Sequence, residues 1–152
     1  MSTSASTSAS SALFKRWTDN HDSLGGPTDF HTFQHYLDLY VLAKKSNIEE
    51  LQNKVMDLIR NYYRAERMTA PAFRLEYIYT ATHEPNAMKL FLLQSAAYRI
   101  LCEQPDDSGH LISDSIRGTL SKNNEMAVDF AEAVIELSRN GLADPRHGSD
   151  CV

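Results

Sequence analysis

The sequence predicts an all-α fold, a compact bundle of six or seven helices. Apolar residues recur at spacings of three and four along most of the 152 residues, and no segment sustains the apolar-polar alternation of a half-buried strand. Breaker clusters separate the periodic stretches, at Gly25-Gly26-Pro27, at Pro85 and at Pro105 to Gly109.

The first helix is predicted to start at Ser10 or Ser11 and to bury Leu13, Phe14 and Trp17. Met1 to Ser11, rich in Ser, Thr and Ala, is expected to be disordered. Thr28 or Asp29 can cap the second helix, whose stripe is Phe30, Phe33, Leu37, Tyr40 and Val41, with Tyr36, Leu39 and Leu42 as a further apolar flank. Asn47 is placed to cap the third helix, with Glu50 three residues later as in a capping box. That helix has the clearest period, Ile48, Leu51, Val55, Leu58, Ile59 and Tyr62, and should pair antiparallel with the second.

Pro71 sits early in a fourth helix, where its missing N–H is harmless, with Phe73, Tyr77, Ile78 and Ala81 inward. Asn86 can cap a fifth, broadly apolar from Phe91 to Leu101 and so expected deep in the core. A sixth would carry Ile112, Ile116 and Leu120; a seventh Ala127, Phe130, Ala131, Val134 and Leu137, stopped by Gly141. The expected organisation is a disordered segment over 1–11, one helical domain over 12–141 and a flexible tail over 142–152.

A net charge of -5 argues against nucleic acid as the main partner, and no apolar run reaches the roughly 20 residues that span a bilayer. Cys102 and Cys151 are the only cysteines, a poor basis for a disulfide framework; with no secretory signal at the amino end, nucleus or cytoplasm is expected.

Candidate chemistry is sparse. His31 and His35 lie one helical turn apart and could share a metal, but Thr32 stands where a zincin helix has its glutamate. His21, Asp22 and Ser23 are adjacent, which does not make a triad. Cys102 and His110 could pair to form a thiolate, against the simpler reading of a buried structural cysteine. Arg60 to Arg67 interleaves cations with Tyr62 and Tyr63, a composition suited to single-stranded nucleic acid and equally to an ordinary helix end. No catalytic residue, metal or cofactor is expected.

The run Leu39-Tyr40-Val41-Leu42-Ala43-Lys44-Lys45, followed by a short turn and Leu51-Gln52, resembles the closing helices of fungal BTB/POZ domains. Ala12 to Trp17 is similar to an upstream helix of that family, Arg74 to Tyr79 with His83-Glu84-Pro85 to its tyrosine-rich helix, and Ser113 to Leu137 to the BACK-like helical extension of many members. The resemblance covers about residues 12 to 140 and implies a non-enzymatic scaffold for homo- or hetero-oligomeric assembly, in transcriptional regulation or, alternatively, as a cullin ubiquitin-ligase adaptor. A complete BTB domain places a sheet-forming half ahead of these helices, and only Met1 to Ser11 precedes them here. The aromatics such a sheet would cover become the candidate partner surface: Leu13, Phe14, Trp17, Phe30 and Phe33, with Tyr63 and Arg64 added. The alternative is that the helices bury these rings within one chain.

Overall fold

The computed structural model describes residues 2–103 and 111–147. Among them are seven α-helices, a single 3-10 turn and no strand, so the fold is all-α as expected. The chain groups into two compact units, Met1–Glu66 and Arg67–Val152, where the sequence leads one to expect a single domain.

The first unit contains α1 (Ser2–Asp19), α2 (Phe30–Lys45) and α3 (Glu49–Glu66), with α2 packed against both others. Helix α1 begins at Ser2, well ahead of Ser10 or Ser11, and runs through the stretch expected to be disordered. No glycine or proline interrupts the chain before Gly25, and alanine is the best helix former. The loop after α1 folds back on it. Arg16 donates to the Ser23 carbonyl at 2.8 Å and Ser23 Oγ donates to the Arg16 carbonyl at 2.8 Å. Gly26 has φ 89 and donates its N–H to Tyr36 Oη at 3.0 Å; a Cβ there would meet Leu58 Cδ2 at 3.3 Å.

Helix α2 opens on a reciprocal cap. Asp29 Oδ1 accepts from the Thr32 N–H at 2.9 Å, and the Asp29 N–H donates to Thr32 Oγ1 at 3.0 Å. The Thr32 N–H holds the Asp29 carboxyl below its ordinary range. At the other end Asn47 takes φ 56, its N–H reaches the Lys44 carbonyl at 3.1 Å, and the Ile48 N–H reaches Ala43 at 2.9 Å. This is a Schellman stop. Asn47 therefore closes α2 instead of capping α3, because asparagine tolerates the left-handed region and the corner between the helices is too short for both roles.

The second unit contains α4 (Ala72–Ala81), α5 (Ala87–Cys102), α6 (Asp114–Lys122), α7 (Asn124–Arg139) and the 3-10 turn Pro145–His147. Helix α5 is its centre, packed against α4, α7 and the 3-10 turn, and it buries Met88, Phe91, Leu92, Leu93, Ala96 and Ala97. Asn86 caps it as expected, accepting from the Lys89 N–H at 2.9 Å. Helix α4 is turned from its expected orientation. Leu75, Ile78 and Tyr79 are buried while Phe73 is exposed, with the Arg74 guanidinium 4.9 Å from the Phe73 ring. This helix is apolar most of the way round, so periodicity alone does not choose its inner side.

Helix α7 ends at Gly141, φ 75, with the Leu142 N–H on the Leu137 carbonyl at 2.8 Å, a second Schellman stop. Part of the expected loose tail is then anchored. Arg146 is buried and donates to Asp144 Oδ2 at 2.9 Å, to Glu103 Oε1 at 3.3 Å and to the Met68 carbonyl at 3.0 Å, with the Tyr98 ring centroid 5.5 Å away. Burial pushes the Asp144 carboxyl up, but hydrogen bonds from Arg146 outweigh it and hold the group below its ordinary range. Residues 148–152, including Cys151, lie outside the described residues.

Candidate interaction surface

The candidate residues of the amino-terminal half do not form one exposed face. Trp17, Phe33 and Tyr63 are 6%, 1% and 0% exposed, which removes them from any docking surface. Phe33 stacks on Tyr63 with centroids 5.0 Å apart and 11° between planes, and Tyr62 flanks it at 5.8 Å. The rings join α2 to α3, so pairing of these helices buries them within the first unit. Trp17 carries His21 stacked over it at 4.1 Å, and His21 Nδ1 lies 3.3 Å from Glu50 Oε1. Phe14 meets the Trp17 ring edge-on at 6.4 Å and, like Leu13, is half-buried. Of the original set, Phe30, at 53% exposure, and Arg64 remain on the surface.

The alternative sites fare as follows. His31 is exposed and His35 half-buried on α2, and among the described residues no group of three His, Cys, Asp or Glu side chains is placed to hold a metal. Cys102 is exposed and free at the end of α5, not the buried structural cysteine expected, because the helix finishes there; His110 lies outside the described residues. In the Arg60 to Arg67 run, Tyr63 faces the core, the Arg60 side chain is mostly buried and Arg64 donates to Asn61 Oδ1, so the run offers Arg64 and Arg67 to solvent without Tyr63 as a stacking platform.

The second unit holds a polar cluster that periodicity did not reveal. Tyr79 donates to Asp129 Oδ2 at 2.7 Å, while Lys89, 5% exposed, sets its ammonium 4.4 Å from the Tyr79 centroid and 4.0 Å from Glu125 Oε1. Burial first, and the Asp129 hydrogen bond second, push the Tyr79 phenol far above its ordinary value, so it stays a donor. A phenol, an ammonium and two carboxylates thereby tie α4 and α5 to α7. The spacing that marks this set, Tyr79 against Lys89 against Asp129, is legible only once the helices are packed.

A second feature of α7 is its outward face. Met126, Phe130, Ala133 and Leu137 point into the core, each 6% exposed or less. On the opposite side, at 100° per residue, Val128, Ala131 and Ile135 form another apolar stripe, with Val128 58% and Ile135 49% exposed. Ala131 was expected inside and is outside, because the buried stripe follows Met126 and Ala133 instead of Ala127 and Val134. Leu142, 42% exposed, follows directly on the helix stop. A helix apolar on two opposite faces has one face to spare. The sequence carried that signal at positions 128, 131 and 135.

No helix among the described residues is long and apolar enough to cross a membrane. Comparison of the chain with protein-family models, with curated proteins and with solved structures gave no match.

Proposed function

We propose that this chain is a non-enzymatic protein-interaction module whose docking surface is the outer face of α7. The observation that carries the reading is the placement of Val128, Ala131 and Ile135 in solvent directly opposite the buried stripe of the same helix. An exposed branched side chain on a helix anchored by its other face is rigid, so covering it loses little conformational entropy. Phe30, exposed at the start of α2 with the His31 ring edge-on at 6.4 Å, belongs to no apolar stripe that remains exposed and supports a docking surface less well. A scaffold role in transcription or in recruiting ubiquitin ligases is what the resemblance to BTB proteins implies, and that resemblance rests on sequence motifs in α1, the α2–α3 corner, α4 and the α6–α7 stretch.

Replacing Val128 and Ile135 together by glutamate in the tagged full chain tests the reading. Proteins that co-purify with the unaltered chain from its native cells should be lost from the variant, while Phe30→Ser should retain them. Retention by the glutamate variant, with loss on Phe30→Ser, would move the surface to the first unit.

A further inference from the structure

The outer stripe of α7 has a charged border that specifies what covers it. Glu125, Glu132 and Arg139 recur every seven residues along one flank, all exposed, with exposed Glu136 set further from the stripe, whereas the other flank carries Ala127, Val134 and Ser138. Glu125 keeps 63% of its side chain in solvent although it lies 4.0 Å from Lys89.

We infer that the occupant is a second copy of this chain, laid antiparallel along α7 about a two-fold axis near Glu132. This deepens, and rests on, the reading of α7 as a docking surface. In an antiparallel pair each flank faces its own counterpart, so Arg139 of one copy meets Glu125 of the other, twice by symmetry. Val128 then lies against Ile135 of the second copy. A parallel copy would set the charged flank against Ala127 and Val134, leaving the acidic and basic ends without complements on the second copy. Glu125 and Arg139 are about 21 Å apart along their own helix and cannot serve each other there. One element of the border works against the pairing: Glu132 falls beside its symmetry mate, and like charges placed opposite one another repel. A seam of two heptads is short, so the dimer forms at high concentration and dissociates on dilution.

Sedimentation equilibrium of the purified full chain over a wide concentration range, with circular dichroism melting to verify folding, tests this. The unaltered chain should shift from monomer to dimer. Ile135→Glu should abolish the dimer, Arg139→Glu should weaken it about tenfold, and adding Glu125→Gln to Arg139→Glu should recover part of that loss. Glu132→Gln should tighten it by about threefold. A dimer that survives Ile135→Glu, or one that Glu132→Gln does not tighten, overturns the antiparallel pairing. A chain that stays monomeric throughout also overturns it; if its glutamate variant still loses co-purifying proteins, the surface stands and only its occupant is wrong. A monomer whose glutamate variant loses none sinks both readings.

Discussion

Two regions of this molecule are rich in large apolar side chains, and packing treats them oppositely. In the first unit Trp17, Phe33 and Tyr63 are consumed by contacts among α1, α2 and α3, with Phe33 and Tyr63 stacked at 5.0 Å. In α7 the smaller Val128 and Ile135 stay about half exposed while the helix is held by its other side. Apart from Phe30 and Phe73, the large rings therefore mark the core here. The surface signal is a second stripe on a helix whose first stripe is already buried.

The contrast breaks or sharpens at defined positions. Tyr63→Ala should lower unfolding free energy by about 3 to 5 kcal/mol in chemical denaturation, as for other large aromatic deletions. A loss under about 1 kcal/mol would mean that the Phe33 stack is not a core contact. Next in size is Arg146→Met, which removes the guanidinium that Asp144 and Glu103 share and should cost about 2 to 3 kcal/mol. Because the folded Asp144 carboxyl is held below its unfolded value, its contribution is complete above the unfolded value and disappears as pH falls through the folded one. Melting temperature against pH should show that acid step in the unaltered chain and a smaller one in Arg146→Met.

Gly141→Ala should destabilise the second unit by about 1 kcal/mol, since the stop of α7 needs φ 75. No change in melting would mean the helix end rearranges freely. Smallest of all, Phe30→Ser and Ile135→Ser should each alter monomer stability by no more than about 0.5 kcal/mol in dilute solution. A large loss at Ile135 would place it in the core and remove the basis for an interaction face.

Much of the helix plan was legible because its signals are local. The Asp29 and Asn86 caps, the Gly141 stop and the interior position of α5 all follow from residues within one or two turns. What escaped depends on long-range packing. Asn47 carries a cap-like side chain, but the short corner uses its tolerance of positive φ. Helix α4 is apolar nearly all round, so contact with α5 and α6, not periodicity, turned Phe73 outward and Leu75 inward. Choosing between Tyr62 and Tyr63 needed the position of Phe33 across the helix pair. Arg146 sits in a segment of loop-like composition, and its partners Met68, Tyr98 and Glu103 are far away in sequence.

Photo-crosslinking in the native cell compares the two regions most directly, with a reactive amino acid placed at Ile135 in one version of the chain and at Phe14 in another. Discrete protein adducts should arise from position 135, with little from position 14. Adducts from position 14 and none from position 135 would contradict the account, because they would return the interaction surface to the amino-terminal aromatics.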